Sequence, residues 1–224
     1  MDKIIVIGGK GTAVIIAEQI YDTQQRFGKK IEFLGFAFDD EAFGDSINDF
    51  PILCKTYNAY KEYGKYEDVK FIYSLYRPDL LKERVALRES YNIPLDKYYT
   101  FIHPSALVTR SVKMGVGNVI LANTVVNSNA VIGNFNTINV NCLIGHEAVI
   151  GNNNFFAGHV TLGSNTKMGN GNFIGVNSSL KNFITIGDDS IVGMCSNATK
   201  DIETGQVVYG NPAKVMNKIN NPIR

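Results

Sequence analysis

The sequence is poor in several things, and each shortage excludes something. There is no tryptophan, and there are only three cysteines, Cys54, Cys142 and Cys195. Their number is odd and no CxxC spacing occurs, which suits a reducing compartment and structural thiols. Charge is nearly balanced, with 22 basic and 21 acidic side chains and a net charge of +1, so composition gives no case for nucleic acid or a polyanionic surface. No apolar run approaches membrane-spanning length. No basic, apolar leader precedes the first strand, into which Met1 runs almost directly. These absences predict a soluble cytoplasmic protein without membrane insertion. At 224 residues and 45% hydrophobic, the chain can bury a proper core in one large or two small domains.

The stretch from Ala106 to Asp201 divides into sixteen hexads without an insertion. The third place runs from Val108, Met114 and Ile120 to Val192 and Ala198 and is apolar throughout, and glycine recurs at the fourth. A fixed six-residue period is the signature of a parallel β-helix. Each hexad makes one short strand with its third residue inward, three hexads make a triangular coil, and residues 18 apart stack. The prism would be about 25 Å tall at the usual strand spacing. Glycine and asparagine (Asn123, Asn134, Asn141, Asn152, Asn153, Asn165, Asn170) are expected at corners, where both tolerate positive φ. Cys142 and Cys195 would then be nearly three coils apart, roughly 14 Å, too far for a disulfide.

Residues 1–100 follow a different grammar. Lys3–Ile7 is a continuous apolar strand, followed by the glycine turn Gly8, Gly9, Lys10, Gly11, Thr12 and a helix from about Ala13 to Phe27. A second strand, Ile31–Phe38, ends in Asp39-Asp40, Val69–Leu75 reads as a further strand, and Pro78–Tyr91 as a helix. Strand, glycine turn, helix, strand and acid open a doubly wound α/β unit. The turn is not a dinucleotide fingerprint, because the places that need glycine hold Gly8, Lys10 and Ala13. Nor is it a P-loop. Two readings of it stand: a tight turn, or an anion site of free amides at a helix N-terminus helped by Lys10. Asp39 and Asp40 lie where such folds hold ribose or base. The joint is YYTFIHPS, in which Pro104 enforces an extended entry and His103 reads as structural. The boundary gives domains 1–100 and 101–224.

In a repetitive stack the chemistry has to come from polar residues that break the pattern. His146-Glu147 occupies the fifth and sixth places of CLIGHE, at a corner. Histidine suits proton transfer near neutral pH, and an adjacent carboxylate can orient it. His159 lies 13 residues on, off the stacking interval and on a different corner, and His103 precedes the prism. The histidines therefore argue against a zinc site within one chain, and no metal is expected.

With these features in view the chain resembles the nucleotide-sugar acyltransferases of the PglD/NeuD-like family. The resemblance runs end to end through IVIGGKGTAVIIAE, EFLGFAFDDE, FIHPSALV, GHEAVIG and VVYGNPAKVM. It implies a small Rossmann-like domain, a left-handed parallel β-helix and a short C-terminal cap, assembled as a homotrimer with active sites between subunits. It implies acetyl-CoA as co-substrate and N-acetylation of a UDP-, dTDP- or GDP-linked amino-deoxy sugar in surface polysaccharide or glycan synthesis. His146 would be the general base and Glu147 its orienting carboxylate. Gly8 to Thr12, Asp39 and Asp40 would hold the nucleotide diphosphate, and Asn139 would lie near the sugar. Coenzyme A would follow the column Gly158, Val176, Met194, flanked by the small residues Ala157, Gly175 and Gly193, which recur every 18 and form a smooth strip.

Two departures from the family pattern stand out. Phe155, nine residues after His146, replaces a second histidine that contacts acetyl-CoA in several relatives, so a backbone amide or His159 would have to stand in for it. Thr12 stands where relatives often carry histidine. The tail from Ile202 would cover the open prism end, with AKVMNKI after Pro212 as a short capping helix. Lys200 or Lys214 would either meet the phosphates of coenzyme A or remain solvated. The alternatives to N-acetylation are O-acetyl transfer to a sugar hydroxyl, of the sialic-acid type, and a non-catalytic trimer that binds nucleotide sugars.

Overall fold

The structure, a computed structural model, describes residues 1–218. Two compact units divide it, one of residues 1–77 and 82–100, the other of residues 78–81 with the chain from Phe101 onward.

In the first unit the N-terminal apolar run becomes the middle of a sheet. Strand β1 (Asp2–Ile7) lies between β2 (Ile31–Ala37) and β5 (Val69–Tyr73), and the sheet continues outward from β2 through β4 (Phe50–Cys54) to β3 (Ser46–Ile47). All pairings are parallel except β3 with β4. Ile4 to Ile7 are fully buried, as expected of a parallel strand covered on both faces. Helix α1 (Thr12–Phe27) buries Ala13, Ile16, Ala17 and Ile20, one stripe at helical spacing. Full burial of Ile16 or Ile20 contributes roughly 1.5–3 kcal/mol each. Gly28 ends the helix in the left-handed conformation, its amide bonded to Gln24. Helix α2 (Ala59–Tyr63) is short. The helix expected over 78–91 is a 3-10 turn, Pro78–Leu80, followed by α3 (Leu81–Ser90).

The second unit is a parallel β-helix whose two-residue strands occupy the second and third places of the hexads. They form three sheets, here the first, second and third faces, starting at Leu107–Val108, Lys113–Met114 and, with Phe101–Ile102 beneath it, Val119–Ile120. Pairing is in register at 18 residues, as in Leu143 with Thr161 and Phe155 with Phe173. Third-place side chains from Ile120 to Ala198 are buried in one core, against which Val108 and Met114 pack.

Asparagine does more than turn corners. Asn118, Asn136, Asn154 and Asn172 are buried at the first place of the third face. The Asn154 amide nitrogen donates to Asn136 Oδ1 at 3.0 Å, and Asn172 repeats this to Asn154. Each Oδ1 also accepts the backbone amide one coil above, and Ser190 closes the ladder. A buried polar column is tolerated because each member is bonded to the next.

The expectation for the fourth-place glycines needs correcting. Positive φ falls at the sixth place, at every hexad from Gly117 to Cys195, where Asn123, Asn141, Asn153 and Asn165 are found. The fourth-place glycines are not left-handed. They are small because coils approach closely: a Cβ on Gly175 would stand 2.5 Å from the amide nitrogen of Met194. Asn134, Asn152 and Asn170 likewise lie beside the corner, at the fifth place. There each side-chain oxygen accepts the amide one coil below.

The tail also departs from expectation. Ala213–Lys218 is a strand, antiparallel to Gln206–Gly210, which extends the third face by pairing with Ile191–Val192. The turn residues Gly210, Asn211 and Pro212 favour a hairpin, and the open sheet edge supplies partners that a helix would leave unused. Ile219, the last residue of the expected helix, lies outside the described residues.

Candidate active site

His146 and Glu147 stand on the corner that follows the first face. The sixth place is left-handed, with φ 58° at Glu147, a conformation costing roughly 1 kcal/mol or more for a residue other than glycine or asparagine. The corner is anchored by the Glu147 amide to Ser128 O and by the Asn165 amide to His146 O. Both side chains are about half exposed, at 56% and 50%, and His146 Nδ1 lies 3.4 Å from Glu147 Oε2. Asn129, one coil below, places Nδ2 3.4 Å from Glu147 Oε1. A carboxylate beside Nδ1 favours the tautomer that leaves Nε2 as the acceptor, turned away from Glu147.

The corner that follows the third face carries the other candidates. Val176 and Met194 are exposed there, 18 residues apart, and Gly158 is half-buried, with room for a Cβ in ordinary contact with Val140 at 3.7 Å. Gly175 and Gly193 are buried. Gly175 makes room for the next coil, and a Cβ on Gly193 would enter the Tyr209 ring. Their smallness is therefore explained within the chain. Ala157 is half-buried, and its carbonyl accepts the Cys142 thiol at 3.1 Å. His159 occupies a left-handed corner with Nε2 3.3 Å from Asn141 Nδ2. The Phe155 ring stacks on Phe173, centroids 5.7 Å apart and planes 14° from parallel. Asn139 is buried, its Oδ1 accepting the Val140 amide at 3.3 Å.

His146 and the Gly158–Val176–Met194 column thus sit at opposite ends of the first face. A face of six residues spans roughly 15–20 Å, so one chain does not bring them together.

In the α/β unit a cavity of about 460 Å³ opens at the carboxyl ends of β1, β2 and β5. It is lined by Gly9, Lys10, Phe38, Asp39 and Asp40, and also by Ser74, Tyr76, Arg77, Arg84 and Leu87. Gly8 has φ 134°, and a Cβ on Gly9 would strike the Phe38 ring, so both glycines are needed for the turn itself. Gly11 precedes α1 with φ 54° and Thr12 begins it. Lys10 Nζ is 2.6 Å from Asp40 Oδ2 and lies over the Phe43 ring. That ammonium, followed by the Ala42 amide, holds the Asp40 carboxyl below the usual carboxylate range. Asp39 is bound through both oxygens by Thr56, from its amide at 2.8 Å and its hydroxyl at 2.7 Å.

The sequence reading missed the arginines and Tyr76. The available signal was the position of Tyr76 and Arg77 directly after β5, with Arg84 in the helix that follows, on the side of such a sheet where ligands bind.

The remaining candidates are structural. His103 is buried and its Nδ1 accepts the Ser105 amide at 3.1 Å. Burial pushes the Cys54 thiol up to about 12 and the Cys142 thiol up to about 11, so neither is a ready nucleophile. No helix among the described residues is long and apolar enough to cross a membrane.

Among solved structures the chain is similar to the acetyltransferase domain of PglB from Neisseria gonorrhoeae FA1090, determined with acetyl coenzyme A. The TM-score is 0.81 at 23% identity, covering 96% of this chain and 98% of that one. The chain shares the fold of that domain over nearly its whole length. A mutant of perosamine N-acetyltransferase from Caulobacter crescentus, in complex with CoA and GDP-perosamine, shares it with a TM-score of 0.77, 20% identity and coverage of 97% and 98%. WeeI from Acinetobacter baumannii AYE gives 0.78, 23% identity and coverage of 96% and 100%. No protein-family model and no curated protein matches the chain.

Proposed function

We propose that the chain is an acetyl-CoA-dependent N-acetyltransferase acting on the amine of a nucleotide-linked amino-deoxy sugar. The observation that carries this reading is the His146–Glu147 contact, presented outward on a strained corner of an acetyltransferase β-helix. His146 Nε2 takes the proton from the amine as its nitrogen bonds to the thioester carbonyl carbon. The carbon–sulfur bond then breaks, and the leaving thiolate takes that proton from the His146 imidazolium to become the thiol. No enzyme-bound acyl group is needed, which fits the buried state of Cys142. Glu147 keeps Nδ1 protonated and stabilises the imidazolium. Such a base contributes on the order of 10²–10⁴ in rate.

The α/β cavity supplies the nucleotide-binding part of the reading. Lys10, paired here with Asp40, lines the cavity together with Arg77 and Arg84, and these cations would meet a diphosphate, with Gly8 to Thr12 as backbone and Asp39 and Asp40 as acceptors. For the acyl donor, exposed Val176 and Met194 and the small, half-buried Gly158 fit an extended amide arm. Ala157 and His159 flank that surface, Gly175, Gly193 and Phe155 lie buried beneath it, and Asn139 stays with the sugar. The separation of His146 from this column supports a homotrimer in which one subunit supplies the base and its neighbour the donor column. In vivo localisation to the cytoplasm follows from the metabolite substrates.

The test is a thermal-shift panel of UDP, dTDP and GDP, each with and without CoA. A ligand held at about 100 times its Kd contributes roughly 2.7 kcal/mol of stability, which raises the Tm of a chain this size by about 5–10 °C. The proposal expects shifts from CoA and from one nucleotide. A nucleotide shift with no CoA shift would point instead to a binding protein without transferase activity.

A further inference from the structure

The corners of the β-helix can be compared one with another, and Phe183 is the one that does not fit. Most sixth places hold asparagine or glycine, the residues that adopt the left-handed conformation readily. Phe135, Glu147, His159, Phe183 and Cys195 are the bulkier or more reactive exceptions. Four of them have a visible occupation. The Phe135 ring covers Gly117 one coil below, His159 meets Asn141, Cys195 accepts from Asn177, and Glu147 meets His146. Phe183, at φ 65°, is 74% exposed, the most exposed large apolar side chain among the described residues. It combines an unfavourable backbone with an unfavourable surface, a pairing that points to a ligand rather than to the fold.

Its position indicates which ligand. Phe183 stands on the corner of His146 and Glu147, two coils toward the C-terminal end, roughly 10 Å along the prism. The Phe183 amide donates to Ser164 O and the Asn165 amide to His146 O, so one backbone ladder joins the two levels. One coil beyond lies Lys200, which together with Lys214 borders a second cavity of about 350 Å³. Neither lysine has a carboxylate partner among the described residues. Proton acceptor, aromatic ring and cation follow one another along this corner. Acyl-coenzyme A presents its parts in the same order: a thioester, an amide-rich apolar arm, then phosphates.

We infer that Phe183 binds the acyl donor, its ring packed on the pantetheine arm. The inference rests on the acyl-transfer reading above and adds a contact from the corner that carries the base.

The test compares Phe183→Asn and Phe183→Ala with the wild type. Asparagine holds this same corner at Asn129 and Asn165, so Phe183→Asn is expected to keep or raise Tm. Titration calorimetry with CoA alone is expected to show about tenfold weaker binding, and the KM for acetyl-CoA to rise by a similar factor while kcat and the KM for the sugar nucleotide stay within about twofold. Oligomer mass stays unchanged. Unaltered CoA affinity overturns the inference, as does a variant that falls to a smaller oligomer, because the ring would then be a subunit contact. Failure of the wild type to bind CoA overturns the transferase reading itself, a result distinct from a wild type that binds and a variant that binds equally well.

Discussion

The two units hold their candidate residues in opposite ways. In the α/β unit they are bonded to each other: Lys10 to Asp40, Asp39 to Thr56, Thr56 to Tyr91. A ligand entering there has to replace or extend contacts that already exist. On the β-helix His146 and Glu147 stand half exposed, with side-chain contacts only to each other and to Asn129, and the backbone beneath them is fixed by repetition. Precision comes from a side-chain network in the first unit and from the stacking of coils in the second. Repetition also makes deviation legible. Glu147 and Phe183 are conspicuous because the corner between them is Asn165, whereas Asp39 has no equivalent to be compared with.

Substitutions can break this contrast in either unit. The largest stability effect is expected at Gly175→Ala. The added Cβ would meet backbone, which cannot turn aside, so the coil has to shift at a cost of about 3 kcal/mol or more. Chemical denaturation would show a lowered midpoint, and CoA binding would weaken as the coil moves. An unchanged midpoint would mean that the coils are less closely packed than described. In the α/β unit Thr56→Val removes one hydrogen bond to Asp39 and the acceptor of the Tyr91 hydroxyl. A loss of about 1–2 kcal/mol is expected. Nucleotide affinity should fall with it, since Asp39 loses its orientation, while CoA affinity should not. Equal losses for both ligands would erase the distinction between a network-held and a stack-held site.

Much of the fold was legible because its signals are periodic. The third-place apolar residues, the apolar β1 run and the stripe of α1 each state their own environment. The errors share a physical cause: a residue type was visible but its reason was not. Glycine serves both positive φ and close approach, and only the coordinates separate the sixth place from the fourth. Asn118, Asn136, Asn154 and Asn172 recur at 18 residues, a signal hidden from a reading at six. AKVMNKI suits a helix or a strand, and the sheet edge that makes Ala213–Lys218 a strand is built by distant residues. His146-Glu147 stood out as a break in pattern. Arg77 and Arg84 did not, since arginines near a helix are ordinary until the strand ends are assembled around them.

The central role proposed for this chain is that of His146 as the general base. Turnover of acetyl-CoA with the amino-sugar nucleotide named by the binding panel, measured for the wild type and His146→Ala at matched oligomer mass, tests it most directly. A fall in kcat of about 100-fold or more, with both ligands still bound, is the predicted result. Full turnover by His146→Ala would contradict it, and would leave an acceptor that sheds its own proton as the remaining route to transfer.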